Sequence, residues 1–267
     1  MNLIFIGGGT MAESMIRGAL TNKLLDPCDI SVCDISSDRC QTLIELYAIS
    51  ADTNLPSLIT RGELVILAVK PQNFYHLSGK LKPLLNQDQT IVSVMAGITM
   101  SSLEENLSHK SIIRVMPNTA SQIGCGISVW MTSSSVESSS VSNVKRLIQT
   151  LGLEIKVSVE RYIDMATALS ASGPAFVFTF IESMIDAGVY LGLTRQMSHQ
   201  LALQTVIGSA QLMEHSGKHP AELRNMVTSP GGTTAEGLLA LEEAGFRTAI
   251  LNAVTAAYEK SLKLGDF

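Results

Sequence analysis

Two segments near opposite ends of the chain hold the residue types from which a reaction could be built. One is Val227-Thr228-Ser229-Pro230-Gly231-Gly232-Thr233-Thr234, in which hydroxyl residues flank a Pro-Gly-Gly turn. Proline fixes its own φ and glycines accept positive φ, so several backbone N–H groups can converge beside hydroxyl donors. That is a nest for a carboxylate. Thr233 and Thr234 also precede a helical pattern beginning at Ala235, where free N–H groups and the helix dipole favour negative charge. The same residues equally suit a capped turn between two helices. The other segment is Gly7-Gly8-Gly9-Thr10-Met11-Ala12, after the apolar run Leu3–Ile6 and before a pattern with Met15, Ile16, Ala19 and Leu20 inward. It fits G-x-G-x-x-A between a strand and a helix. Gly7 makes the tight turn, Gly9 lets a pyrophosphate approach, and Ala12 keeps helix and strand close. A ligand-free βα turn is the alternative.

Between these ends, other reactive residues follow strand-like runs. Asp34 ends the second run, where an acid typically bonds ribose hydroxyls and repels a 2′-phosphate. Ser36, Ser37 and Arg39 could instead supply donors to that phosphate, and Asp34 could be a simple turn residue. Pro71 biases Lys70 to an extended conformation at the end of the third run. Lys70 is either a crevice contact or a surface lysine. Asn118 offers an amide, or an Asx turn.

The positioning elements follow from periodicity. Strands are expected at Leu3–Ile6, Ile30–Cys33, Leu64–Ala68, Ile91–Val94, Ile112–Val115, Ile127–Met131 and Glu154–Val157, with helices around Met11–Thr21, Arg39–Leu46, Gln72–Leu81 and Val141–Leu151. Continuous β-branched runs alternating with helices predict an α/β domain with a doubly wound parallel sheet. Ligands of such sheets bind at the carboxyl ends of the strands. After about residue 160 only helical patterns remain: Tyr162–Ala171, Pro174–Leu191, Arg195–Ser216, Pro220–Val227 and Thr234 onward. Two domains are expected, 1–160 and an all-α domain at 161–267.

With 267 residues, net charge −5 and no basic cluster, the chain lacks the footprint of a nucleic-acid binder. The apolar stretch from Ile163 to Leu193 is broken by Pro174, Glu182 and Asp186 and reads as buried helices rather than a membrane span. Hydrophobic content of 46% against 16% charged suggests helix faces buried between subunits. The chain starts with no basic n-region, so no signal peptide is expected. Cys28, Cys33, Cys40 and Cys125 have no C-x-x-C spacing, as for reduced thiols in a cytoplasmic protein. His215 and His219 lie in a turn-forming stretch, and no metal site is expected.

The chain resembles the pyrroline-5-carboxylate reductase family over essentially its whole length. The resemblance is carried by Phe5-Ile6-Gly7-Gly8-Gly9-Thr10-Met11, Ala68-Val69-Lys70-Pro71-Gln72, Arg114-Val115-Met116-Pro117-Asn118-Thr119, Ala168-Leu169-Ser170-Ala171-Ser172-Gly173-Pro174-Ala175-Phe176 and the Ser229–Thr234 loop. Departures are Ala171 for Gly, Thr10 for Asn and Ala120 for Pro. The resemblance implies a Rossmann domain followed by a helical substrate and dimerisation domain, with at least a homodimer. It implies hydride transfer from NADP(H) or NAD(H) to the C=N of 1-pyrroline-5-carboxylate, giving L-proline. Cofactor residues would be Gly7, Gly9, Thr10, Met11, Asp34, Ser36, Asn54, Ala68, Lys70, Pro71 and Asn118. The substrate would meet Ser172 and Ser229, Gly231, Gly232, Thr233 and Thr234. Ser229 would hold its carboxylate, Thr234 would bond the ring nitrogen, and Lys70 would stand near the reacting end. An imine reductase, a β-hydroxyacid dehydrogenase or a non-catalytic nucleotide-binding regulator are the other readings. No lysine falls between Lys156 and Lys218, which weighs against the dehydrogenase, since that chemistry uses a helix-borne lysine in the second domain. The intact nest weighs against the regulator.

Overall fold

The computed structural model describes residues 1–60 and 62–264. Residues 265–267, the end of the expected second domain, lie outside them. By packing, the chain falls into two compact units: Met1–Ser172 with the stretch from Ala256 onward, and Gly173–Thr255.

In the first unit the strands are β1 (Leu3–Ile6), β2 (Ile30–Cys33), β3 (Ser50–Asp52), β4 (Leu64–Leu67), β5 (Thr90–Ser93), β6 (Ile112–Met116), β7 (Gly126–Thr132) and β8 (Gly152–Lys156). Among the described residues they form one sheet in the order β3-β2-β1-β4-β5-β6-β7-β8. Its helices are α1 (Thr10–Thr21), α2 (Ser37–Tyr47), α3 (Leu55–Ile59), α4 (Phe74–Leu81), α5 (Met100–Leu107), α6 (Ser138–Gln149) and α7 (Arg161–Ala166). β1, β4, β5 and β6 are buried at every residue, because helices cover both faces of the sheet. One apolar cluster joins α1 and α6 to the sheet through Met15, Ile16, Val144 and Leu147. A second packs Phe74, Leu81, Leu103 and Leu107 on the opposite side.

Among the described residues the sheet is parallel, as expected, at every pairing but one. β7 runs antiparallel to β6, and β8 runs parallel to β7. The connection at residues 117–125 is shorter than the dozen or so residues that a parallel crossover needs, so the chain turns straight back. α7 packs on β6 and β7, which carries the first unit past the point where strand signals end.

The second unit holds α8 (Gly173–Tyr190), α9 (Arg195–Ser216), α10 (Pro220–Met226), α11 (Thr233–Glu243) and the start of α12 (Phe246–Leu264). α8 lies along α9. They approach closely at Gly188, where a Cβ would stand 2.6 Å from Ser198 Oγ. Gly192 and Gly217 stop α8 and α9 with positive φ, as glycines past helix ends do. The single helical pattern expected from Thr234 onward is two helices, split at Gly245 with φ 71°.

The expected burial of these helices is not met within one chain. α8 has no buried residue. Phe178, Tyr190 and Leu191 are 63%, 91% and 80% exposed. By length and composition the helical run Arg161–Tyr190 would reach across a membrane. An apolar face this exposed belongs against another surface.

Candidate active site

The turn after β1 gives each glycine a separate task. Gly7 takes φ +97°, and a Cβ there would stand 2.7 Å from Ala68 O. Only glycine fits. Its N–H donates to Cys33 O at 2.8 Å, and Ala68 N–H donates to Ile6 O at 2.9 Å, so the turn is tied to both neighbouring strands. At Gly8 a Cβ would meet Leu43 Cδ1 at 2.8 Å. Gly9 has nothing within 4 Å. It precedes α1, whose N-cap makes no side-chain hydrogen bond. Thr10 is exposed and Met11 half-buried at that helix start, while Ala12 is fully buried. Open space over uncapped N–H groups is what a pyrophosphate needs.

Asp34 lies just past β2. Its Oδ2 accepts the Gly8 N–H at 2.7 Å and its Oδ1 accepts the Ser36 N–H at 2.9 Å. Ser36 caps α2 by accepting the Arg39 N–H. Arg39 turns inward: its Nε donates to Gly8 O at 2.5 Å, and its Nη2 pairs with Glu13. Tyr47 also donates to Glu13, at 2.8 Å. The Arg39 guanidinium holds the Glu13 carboxyl below the usual carboxylate range, against the opposing effect of burial. Sequence reasoning missed Gly8, Glu13 and Tyr47. The one available signal was three glycines in a row where two would satisfy the motif.

Asn54 is exposed at the start of α3, its N–H donating to Asp52 Oδ1. Lys70 is exposed and extended, with φ −65° and ψ 138°, ahead of the short turn Pro71–Asn73. A cavity of about 270 Å³ beside it is lined by Pro71, Gln72, Tyr75, Ile98 and Leu264. Asn118 uses its Oδ1 to accept the Ile127 N–H at 3.2 Å. This bond ties it to β7 and leaves its amide donors without a partner among the described residues. Gly7, Gly9, Thr10, Met11, Asp34, Ser36, Ala68 and Lys70 thus all stand at or just past the carboxyl ends of β1, β2 and β4.

Ser172 ends the first unit's main stretch, its N–H donating to Thr167 O at 2.9 Å in a widened helical turn over Thr167–Ala171. Gly173 and Pro174 open α8, the first-turn placement that proline favours.

The hydroxyl-rich loop belongs to the second unit. Thr228 donates to Arg224 O and is spent on closing α10. Gly231 takes φ +67°. Gly232 N–H donates to Ser229 O at 3.1 Å, and a Cβ on Gly232 would collide with Ser229 Oγ, so the serine hydroxyl folds over the turn. Gly232 precedes α11, again without a side-chain cap. Ser229 and Thr233 are exposed and Thr234 half-buried. The result is a helix start with free N–H groups beside three hydroxyls. His215 closes α9 and His219 caps α10 through the Ala221 N–H, on separate elements.

Residues 160–264 match the family model described as pyrroline-5-carboxylate reductase dimerisation. Residues 2–97 match one described as NADP oxidoreductase, coenzyme F420-dependent. The pyrroline-5-carboxylate reductase of Glycine max is 38% identical over 97% of this chain and 94% of its own length. That of Escherichia coli strain K12 is 35% identical over 97% of each. The crystal structure of Plasmodium falciparum pyrroline carboxylate reductase with NADP bound matches with a TM-score of 0.91 and 31% identity, over 99% of this chain and 98% of that one. A reductive aminase from Aspergillus terreus, at 17% identity and a TM-score of 0.60, shares the fold. With relatives well above 30% identity over nearly their whole lengths, this chain belongs to the pyrroline-5-carboxylate reductase family.

Proposed function

We infer that the chain carries out its family's reaction through two anion sites, one for each reactant. It is an NAD(P)H-dependent oxidoreductase that reduces 1-pyrroline-5-carboxylate to L-proline, the last step of proline biosynthesis. The observation that carries the assignment of roles is the Ser229–Thr234 turn, where positive φ at Gly231 precedes an uncapped helix start, an arrangement suited to a carboxylate.

The nicotinamide supplies the hydride. The chain's own work is holding and orienting. Gly9, Thr10 and Met11 receive the pyrophosphate on the free N–H groups of α1. Ser36 and Asn54 serve the adenosine end. Ala68, Lys70, Pro71 and Asn118 serve the nicotinamide end. Ser229 with the backbone of Gly231, Gly232 and Thr233 binds the substrate carboxylate, and Ser172 stands by the ring. Thr234 hydrogen-bonds the ring nitrogen. Its hydroxyl is too weak an acid to protonate the imine at neutral pH, so it orients that nitrogen or relays a proton from water. Correct placement of a protonated imine beside a hydride donor needs little further catalysis.

The chain works as a homo-oligomer, at least a dimer, built on the exposed apolar faces of α8 and α9. We place it in the cytoplasm, in keeping with four free cysteines, of which burial pushes the Cys33 thiol up to about 11. The test is NAD(P)H oxidation with pyrroline-5-carboxylate as acceptor. Turnover that depends on that substrate is expected, and its absence with both cofactors would overturn the assignment.

A further inference from the structure

We propose that Asp34 and Arg39 are positioning residues that clamp Gly8, and that Asp34 does not choose between NADH and NADPH. This rests on the nucleotide reading of the turn. An acid at the end of the second strand is ordinarily assigned to the ribose hydroxyls. Here both of its oxygens already hold backbone N–H groups, those of Gly8 and Ser36. Arg39, in the first turn of α2, likewise turns its Nε to Gly8 O and its Nη2 to Glu13.

Gly8 is therefore gripped at its N–H by Asp34 and at its C=O by Arg39. A trans peptide points its N–H opposite to its C=O, so the hold on Gly8 O fixes the direction of the Gly9 N–H. Gly9 is the residue with open space above it. The clamp sets the aim of the donor that meets the pyrophosphate, a group common to both cofactors. Arg39 has a second effect. Glu13 places a carboxylate in the first turn of α1, where it would repel an incoming pyrophosphate. Its pairing with Arg39 and its bond from Tyr47 offset that charge. Loss of either clamp residue should weaken the two cofactors alike.

The test measures Kd for NADH and for NADPH by fluorescence titration, with kcat at saturating cofactor and the thermal midpoint, on the full-length enzyme. Asp34→Ala and Arg39→Met should each raise both Kd values by about tenfold, the size of one charged hydrogen bond. The ratio of the two Kd values should stay within about threefold of wild type, and kcat should hold. Asp34→Asn keeps one acceptor for the Gly8 N–H and should recover part of the loss for both nucleotides. A tenfold or greater swing toward NADPH in Asp34→Ala would make Asp34 a ribose reader and overturn the proposal. So would unchanged Kd values alongside a lowered thermal midpoint, the sign of a purely structural role. Should Asp34→Ala or Arg39→Met not fold, Asp34→Asn and Arg39→Lys carry the same comparison. Wild-type enzyme that binds neither nucleotide would remove the nucleotide reading itself, and the clamp with it.

Discussion

Replacing Gly9 with valine should cost cofactor binding and almost no stability, and replacing Gly7 with alanine should do the reverse. The contrast comes from the space above each residue. Gly9 has φ −69° and ψ −175°, extended backbone that any residue adopts, and a Cβ there would have no atom within 4 Å. A Cβ at this position has room, and removing glycine's freedom from the unfolded chain favours folding by about 0.4–1 kcal/mol. On the proposed binding role of Gly9, the side chain should block the pyrophosphate. Losing two charge-assisted hydrogen bonds of about 1.5–3 kcal/mol each raises Kd by about two to four orders of magnitude. Gly7 sits at φ +97° with a backbone oxygen 2.7 Å from any Cβ. Positive φ alone costs a non-glycine residue about 1–3 kcal/mol, and the contact must relax as well. At about 2–4 °C per kcal/mol, the thermal midpoint should fall visibly. Nucleotide fluorescence titration and thermal melts of the two variants read both quantities. Wild-type affinity in a folded Gly9→Val, or wild-type stability in Gly7→Ala, refutes the assignment of roles within the turn.

Thr234→Ala should lower kcat/KM for pyrroline-5-carboxylate by roughly tenfold to a few hundredfold, the loss of one or two useful hydrogen bonds, with cofactor Kd near normal. Ser229→Ala should act mainly through KM, since a carboxylate is bound equally in the ground and transition states; wild-type efficiency in both variants would reduce the loop to a helix-capping turn. Light scattering at micromolar concentration should give at least twice the chain mass, and a monomer would remove the role given to the exposed faces of α8 and α9. Asp164 beside Arg114 is raised above its usual value of 3.8, by burial first and by the Glu160 charge, with Arg114 opposing. A carboxyl raised in the folded state contributes stability that is present below about pH 3.8 and lost as pH rises through the folded value. Asp164→Asn should therefore flatten the decline in thermal midpoint above pH 4 and match or exceed wild type at neutral pH; a midpoint several degrees lower at pH 7 would show that the Arg114 pairing outweighs burial.

Most of the first unit is legible because its signals are local. β1, β4, β5 and β6 are buried on both faces, so β1 and β4 are unbroken apolar runs and β5 and β6 are interrupted only at Thr90, Ser93 and Arg114. β3 is not legible, since Ser50, Ala51 and Asp52 make a three-residue, mostly polar edge strand beside β2. α5 escapes notice although Met100, Leu103 and Leu107 keep a helical spacing and Thr99 caps it; its apolar residues are diluted by Ser101, Ser102, Glu104 and Glu105. The reversal at β7 follows from loop length, which depends on knowing where strands end to within a residue or two. In the second unit the pattern locates the helices and leaves open what covers their apolar faces. Periodicity reports which face is apolar, not which molecule covers it.

At the site, a motif states which backbone must be free, and not what holds it. The expectation that Gly9 faces the pyrophosphate follows from spacing alone; the structure leaves open space over Gly9. The hold on Gly8 could not be read that way, because Asp34, Arg39, Glu13 and Tyr47 lie on β2's exit, α2 and α1 and meet only after the sheet forms. By residue type alone Asp34 and Arg39 are rivals, one favouring NADH and the other a 2′-phosphate. In the fold they take opposite ends of the same glycine. The charge that a residue type brings to a site is evident from its letter; whether that charge remains free to meet a ligand depends on neighbours that arrive from elsewhere in the chain.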